Sequence, residues 1–145
     1  MIIKQKEKSD CGICCIAMAT LVDYQKVYDI GIKGKHYVPG KGLYDSEGLL
    51  DDLAEELCGA SPSRIIHRKF YRPFPISDEY FKSMFWGRRA ILSVPSLNIP
   101  NGWHAVFYDG TNLFDPSTKF TYDSFDDIKM VADVTVFNEA PHLRV

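Results

Sequence analysis

The sequence has no apolar segment that approaches the roughly 18 to 20 residues needed to cross a lipid bilayer. Its first residues, Met1-Ile2-Ile3-Lys4, also lack the features of a secretory signal. We therefore expect a cytoplasmic protein without a membrane span.

Charge of one sign is also scarce, since 17 basic and 19 acidic residues leave a net charge of −2. A nucleic-acid-binding protein usually carries a strongly basic surface, so we expect no nucleic-acid partner. The most basic segment, Arg64 to Arg72, includes Phe70 and Tyr71, a mixture that is also found in RNA-binding surfaces. With an acidic net charge, we interpret it as the solvated face of a strand.

Cysteine is too sparse for a disulfide framework: there are four, and Cys14 and Cys15 are adjacent. A structural zinc site needs four ligands, and Cys11-x2-Cys14 has no second Cys-x2-Cys or His pair to complete it. We expect reduced thiols, no metal and no cofactor.

Repeats and low-complexity segments are absent as well, and 145 residues are short for two hydrophobic cores. Hydrophobic residues make up 46% and charged residues 25%, values typical of globular proteins. We predict one domain over residues 1–145.

Hydrophobic periodicity places helices mainly in the first half and strands in the second, the order expected of an α+β domain. Ser9 or Asp10 is expected to cap the first helix, and residues 31–42 are expected to be loop. Predicted helices are a buried one from Cys11 to about Tyr24, an amphipathic one over Ser46 to Leu57, and Asp78 to Trp86 after a Ser77 cap. Predicted strands are Arg64 to Phe70, Ala90 to Pro95, Trp103 to Tyr108, Asn112 to Phe114 and Val131 to Phe137.

The most informative motif is a glutamine, Gln5, six residues before Cys11. Cys11 opens the first predicted helix, where unpaired N–H groups and the helix dipole favour the nucleophilic thiolate. The Gln5 amide and the Cys11 backbone N–H could form an oxyanion hole. Cys14 and Cys15 lie inside the same apolar helix, and Cys58 lies at a helix C-terminus, so we interpret these three as packing residues.

A second motif surrounds His104 and Asp115. Asp109-Gly110 between two apolar runs predicts a two-residue hairpin turn. Counting outward from that turn places His104 directly opposite Asp115, close enough for an imidazole N–H to reach the carboxylate. The sequence thus supplies a base and its orienting residue for Cys11. His36, His67 and His142 lack such a neighbour and are assigned to surface or loop positions.

With Gln-x5-Cys, Asp10-Cys11-Gly12, the histidine before an apolar strand and Asp115-Pro116, the chain resembles the papain-like peptidases that remove leader peptides from bacteriocin precursors. The positions of Gly42-Leu43, Cys58-Gly59 and Ser124-Phe125 are similar too, so the resemblance covers most of the chain.

The resemblance implies a papain-like fold with a helical N-terminal half, a β-sheet C-terminal half and a cleft between them. It implies Cys11 as nucleophile, His104 as base, Asp115 as orienting residue and Gln5 in the oxyanion hole. The implied substrate is a peptide or a flexible protein tail, cut after small residues such as glycine. Known members usually belong to membrane exporters, so an exporter is an implied partner.

Two alternatives stay open. The same triad chemistry supports deamidation, transglutamination or hydrolysis of an isopeptide bond. The second alternative is a catalytically inactive module that uses the cleft to bind a peptide. Such a module would not need the full set of cysteine, histidine, aspartate and glutamine. The sequence does not indicate the oligomeric state.

Overall fold

The computed structural model of the protein describes residues 2–42, 49–58, 65–74, 77–85 and 88–137. The helices are α1 (Cys11–Thr20), α2 (Tyr24–Lys33), α3 (Leu49–Cys58), α4 (Asp78–Phe85) and a 3-10 helix (Phe125–Asp127). The strands are β1 (Ile65–Phe74), β2 (Arg89–Pro95), β3 (Trp103–Tyr108), β4 (Leu113–Phe114) and β5 (Val131–Phe137). Helices and an antiparallel sheet confirm the α+β class.

Helix α1 begins at Cys11 as predicted, and all ten of its residues are buried. It ends earlier than predicted because Leu21 adopts a left-handed backbone conformation with φ 58°. The Thr20 hydroxyl strengthens this stop: it donates to the Ile16 carbonyl at 2.7 Å and accepts from the Val22 N–H at 3.3 Å. The predicted continuation of the helix to Tyr24 is wrong.

Helix α2 is absent from the prediction, which assigned loop from residue 31 onward. Asp23 caps it by accepting from the Gln25 N–H at 3.1 Å. Its buried residues, Tyr24, Val27 and Gly31, follow helical spacing. At Gly31 a Cβ would lie 3.3 Å from Ile13 Cδ1, so glycine permits close packing of α2 on α1.

The other helices agree with the prediction within the described residues. Helix α3 ends at Cys58, one residue later than expected, and the expected residues 46–48 lie outside the described part. Helix α4 begins at Asp78 as predicted, and the Ser77 hydroxyl accepts from the Tyr80 N–H at 3.1 Å, as a cap does. Trp86, the predicted last residue of that helix, also lies outside the described part.

The strands lie close to their predicted positions. Strands β3 and β5 have the predicted bounds, and β2 begins one residue earlier. Strand β1 continues beyond Phe70 to Phe74, and its predicted first residue, Arg64, lies outside the described part. Strand β4 contains Leu113 and Phe114 but not Asn112.

The strands form one sheet in the order β1-β5-β2-β3-β4, with every neighbouring pair antiparallel. Successive residues of a strand point to opposite faces, and both faces here are buried. On one face, Ile91 and Phe107 pack with buried residues of α1, α2 and α3. On the other, Leu92 and Val106 pack with Phe81 of α4 and with residues that follow β4. Helix α1 therefore rests on the sheet, with its first residue near the end of β3 that carries His104.

No helix in the described ranges combines the length and the apolar character that a membrane crossing requires.

Candidate active site

Cys11 is the first residue of α1, and 6% of its surface is exposed. The first N–H groups of a helix have no partner within the helix and carry its positive partial charge. An anion at this end is therefore stabilised, whether it is a thiolate or the oxyanion of a reaction intermediate.

The predicted side-chain cap is wrong, although Asp10 does occupy the N-cap position. Asp10 makes no side-chain hydrogen bond to α1. Its Oδ2 instead accepts from the Lys6 N–H at 3.0 Å and from the Tyr24 hydroxyl at 2.5 Å. Ser9 does not cap the helix either, because its Oγ accepts from the Gly40 N–H at 2.8 Å. The first N–H groups of α1 are thus left uncapped by these side chains, next to Cys11.

His104 and Asp115 are in direct contact, with His104 Nε2 2.6 Å from Asp115 Oδ1. Both residues are buried, at 9% and 3% exposure. A carboxylate only accepts hydrogen bonds, so Nε2 carries the hydrogen and donates it. This bond fixes the orientation of the imidazole and leaves Nδ1 for a second partner.

The predicted hairpin register is wrong by two residues. Phe107 pairs with Phe114 and Tyr108 with Leu113, so residues 109–112 form a four-residue loop. The Asp109 carboxylate stabilises this loop by accepting from the N–H groups of Thr111 and Asn112 at 2.8 and 2.7 Å. Continued past β4, that register would place Asp115 opposite Val106. His104 and Asp115 meet diagonally instead.

Three hydrogen bonds hold the Asp115 carboxylate. Besides His104, it accepts from the Ser117 N–H and the Tyr122 N–H, both at 2.8 Å. Burial by itself would raise the pKa of Asp115, but these bonds and the charge of His104 lower it below the ordinary value. Asp115 is therefore an ionised, fixed acceptor.

His104 interacts with Cys11 as well as with Asp115. Burial lowers the pKa of His104, but hydrogen bonds to Asp115 and Cys11, and the negative charges of both, outweigh it and raise the pKa to about 9. The imidazole is thus protonated at neutral pH. An imidazolium beside a cysteine stabilises the thiolate, which is the nucleophilic form.

The neighbouring thiols have a different environment. Burial, together with nearby negative charge, raises the pKa of Cys14 and that of Cys15 well above the usual range. Both residues are completely buried within the core on the helical face of the sheet. Cys58 is the last residue of α3, where the helix dipole opposes a thiolate. The positions of Cys14 and Cys15 agree with packing roles.

Gln5 lies in the cleft beside His104, but its amide group points along its own segment. Gln5 Nε2 donates to the carbonyls of Glu7 at 3.0 Å and Lys8 at 3.3 Å. To donate to an oxyanion, the amide would have to give up one of these bonds. The predicted oxyanion role of Gln5 stays a prediction.

The segment that carries Gln5 is attached to the segment that follows Asp115. The Gln5 N–H donates to the Pro116 carbonyl at 2.8 Å. Lys4 Nζ donates to the carbonyls of Asp115 and Ser117, both at 3.0 Å. Lys4 was not predicted from the sequence, because no local pattern distinguishes it from other surface lysines.

A cleft of about 650 Å³ opens beside these residues. It is bounded by the segment before α1, the loop between β2 and β3, and the segment after Pro116. Its lining residues are Gln5, Lys6, Glu7, Lys8, Ser96, Asn98, Ile99, His104, Ser117, Thr118, Lys119 and Phe120. The cleft has the size of a pocket for a small ligand or a short peptide segment.

The remaining histidines lie away from these residues. His36 is half-buried in the loop after α2, and its Nε2 lies 3.7 Å from Glu56 Oε1. His67 is in β1, opposite Thr135, rather than in a loop. His142 lies outside the described residues, as does Arg64 of the basic segment. Among the residues that the structure describes, no group of three or more His, Cys, Asp or Glu is arranged to hold a metal ion.

No known protein-family model matches the chain, and no curated protein matches its sequence.

Proposed function

We propose that this protein is a cysteine peptidase of papain-like fold, with Cys11 as nucleophile, His104 as general base and acid, and Asp115 as orienting residue. The observation that carries the proposal is the buried His104–Asp115 hydrogen bond, together with Cys11 at the first residue of a buried helix, where its charge helps to raise the pKa of His104. The order of the elements, with the nucleophile helix before an antiparallel sheet that holds the base, supports the fold assignment.

In the proposed reaction the Cys11 thiolate attacks the carbonyl carbon of a peptide bond and forms a carbon–sulfur bond. The carbonyl oxygen becomes an oxyanion, stabilised by N–H groups at the start of α1, with Gln5 as a further donor once its amide turns from Glu7 or Lys8. His104 gives its proton to the leaving amine as the carbon–nitrogen bond breaks.

The second half of the reaction regenerates the enzyme. His104, now neutral, takes a proton from water, and the hydroxide attacks the thioester. The carbon–sulfur bond breaks, the new carboxyl group leaves, and Cys11 and His104 return to thiolate and imidazolium. Asp115 stabilises the imidazolium in both halves without taking the proton itself.

The proposed substrate is a peptide or a flexible protein tail, because the cleft has a volume of only about 650 Å³ and Cys11 is largely buried. Cleavage after glycine and association with an exporter are proposed from the sequence resemblance alone. We also propose that the protein works in the cytoplasm, where its thiols stay reduced.

Mass spectrometry of synthetic glycine-containing peptides and an unfolded protein after incubation with the enzyme tests this function. We expect two fragments from each cleaved chain, with Cys11→Ala as the inactive control. An intact chain about one dalton heavier would indicate deamidation, and a cross-linked product would indicate acyl transfer to an amine, both through the same nucleophile. Peptide binding to the wild type and to Cys11→Ala with no chemical change would show a binding module and overturn the proposal.

A further inference from the structure

We propose that the cleft selects peptides that carry acidic side chains close to the bond that Cys11 attacks. This inference rests on the proposed peptidase function and adds the chemical class of the substrate. It comes from the distribution of charge and apolar surface around the cleft.

Positive charge is concentrated in the cleft although the protein as a whole has a net charge of −2. Lys6, Lys8 and Lys119 line it, and all three are exposed. Lys4 adds a fourth ammonium group beside it, held on the carbonyls of the segment after β4. Clefts lined by charge of one sign attract ligands of the other sign and raise their local concentration.

Glu7 is the one acidic residue among the lining residues, and two tyrosine hydroxyls hold its carboxylate. Oε2 accepts from the Tyr28 hydroxyl at 2.9 Å, and Oε1 accepts from the Tyr37 hydroxyl. Lys6 Nζ lies 4.6 Å from the centre of the Tyr24 ring. This cation–π contact does not neutralise the positive charge of the ammonium group. Within the described ranges, no ion pair joins Lys8 or Lys119 to a carboxylate. These two ammonium groups are available to a ligand.

Two exposed apolar side chains also line the cleft. Phe120 is 70% exposed and Ile99 is 55% exposed. Asn98 joins the two segments that carry them, because its amide accepts from the Phe120 N–H at 3.1 Å and donates to the Phe120 carbonyl at 3.0 Å. Large apolar side chains exposed beside polar groups are typical of a binding surface. A ligand that matches the lysines and these apolar groups has acidic side chains and an apolar side chain.

The position of the lysines ties the selection to the cleaved bond. Lys6 and Lys8 lie between Gln5 and Cys11, and Lys119 follows Asp115 by four residues. Residues of both segments line the cleft beside His104, so a peptide that lies in the cleft and presents a carbonyl to Cys11 lies beside these lysines. A peptide suits this site better than a nucleic acid, since these lysines line one cleft of limited volume and the net charge of the protein is −2.

The test compares two synthetic peptides that differ only in having glutamate or glutamine at the positions flanking a central glycine. We expect the glutamate peptide to be cleaved with a kcat/KM about fivefold to tenfold higher, mainly through a lower KM. The preference should diminish as salt approaches about 1 M, where the screening length is about 3 Å. Lys8→Gln and Lys119→Gln should each reduce it. Lys26→Gln, an equal charge change at an exposed position on α2 outside the lining residues, should not.

The possible failures are distinguishable. Equal cleavage of both peptides, or the same effect from all three lysine substitutions, would overturn the charge selection while leaving the peptidase function intact. If the wild type cleaved neither peptide, the affinities of Cys11→Ala for the two fluorescently labelled peptides would be compared. Tighter binding of the glutamate peptide would support selection of acidic side chains, and equal affinities would overturn it. A labelled single-stranded oligonucleotide that bound there more tightly than the glutamate peptide would also overturn the inference.

Discussion

At the scale of single residues, the surroundings of each ionisable side chain determine its protonation state. Three cysteines lie within five residues of α1, but Cys11 is the one that meets a protonated histidine, whereas burial keeps Cys14 and Cys15 in the thiol form. His104 in turn differs from His36 because it has a fully hydrogen-bonded carboxylate beside it. Both residues could be singled out from the sequence. The spacing from Gln5 distinguished Cys11 from the other cysteines, and an apolar strand before an Asp-Pro distinguished His104 from the other histidines.

The sequence could not predict where the Asp10 and Gln5 side chains point. Each has several donors or acceptors within reach, and the choice depends on Tyr24, Lys6 and the carbonyls of residues 7 and 8. Such choices follow from tertiary contacts and not from local pattern.

Asp115→Asn tests the role of the carboxylate. The amide keeps the shape of the side chain but removes the charge that stabilises the imidazolium, so we expect kcat/KM to fall by about 10²- to 10⁴-fold. The wild-type rate should also fall above pH about 9, where His104 loses the proton that it gives to the leaving amine. In the variant this alkaline limb should move to lower pH. A pH profile with an unchanged alkaline limb would show that Asp115 does not control His104.

The raised pKa of His104 also predicts how stability depends on pH. Its ordinary value is 6.5 and its value in the folded protein is about 9, so the folded state holds the proton more tightly. The resulting stabilisation is fully present below pH 6.5 and is lost as pH rises through 9. We expect the difference in free energy of unfolding between wild type and His104→Gln to shrink across this range by about 3 kcal/mol. Denaturant titrations at several pH values measure it, and a difference that grew with pH would contradict the assignment.

At the scale of secondary-structure elements, the position of Cys11 depends on hydrogen bonds between the segment before α1 and the tyrosines of α2 and the following loop. Tyr24 bonds to Asp10, and Tyr28 and Tyr37 bond to Glu7. Helix α2 was not predicted because the apolar run of α1 was expected to continue to Tyr24, and because α2 runs through Gly31, which was expected to start a loop. The pattern of Tyr24, Val27 and Gly31 is too short to stand out beside the apolar run of α1.

The β3–β4 hairpin shows why an incorrect register still brought the correct residues together. Its loop has four residues and not two, so the pairing moves by two positions. A shift of one residue would turn the side chains to the opposite face, but a shift of two preserves the face. His104 and Asp115 therefore remain neighbours.

Tyr24→Phe tests the link between α2 and the segment before α1. It removes a hydrogen bond to the buried carboxylate of Asp10, whose Oδ1 already has no hydrogen-bond partner among the described residues. We expect a loss of about 1 to 3 kcal/mol in the free energy of unfolding, measured by chemical denaturation.

Tyr28→Phe is the matched control, because it removes the same kind of bond from the less buried Glu7. We expect a smaller loss for this variant. Equal losses would mean that burial of the Asp10 carboxylate does not decide the cost.

At the scale of the whole molecule, the sheet is covered on both faces, and each face has its own apolar cluster. Because both faces are buried, β2 and β3 consist of nearly continuous apolar residues. These apolar runs made both strands predictable from the sequence. The layer arrangement was less predictable, since it depends on β5 lying between β1 and β2. Such long-range pairings leave no local signal in the sequence.

Ile16→Ala and Leu92→Ala test whether the two clusters fold as the predicted single domain. Each residue is completely buried in a different cluster, so we expect each substitution to cost about 2 to 5 kcal/mol. In one cooperative unit, tryptophan fluorescence and circular dichroism should report the same transition midpoint in every variant. Two separated transitions, with each substitution moving only one of them, would instead indicate two units.

The central claim is that His104 activates Cys11, and alkylation by iodoacetamide tests it without a substrate. The measurement is the rate of Cys11 modification at neutral pH, followed by mass spectrometry in the wild type and in His104→Gln. We predict rapid modification of Cys11 in the wild type and a rate at least about tenfold lower in the variant, because the imidazolium that stabilises the thiolate is gone. Equal rates of modification in the two proteins would contradict the account.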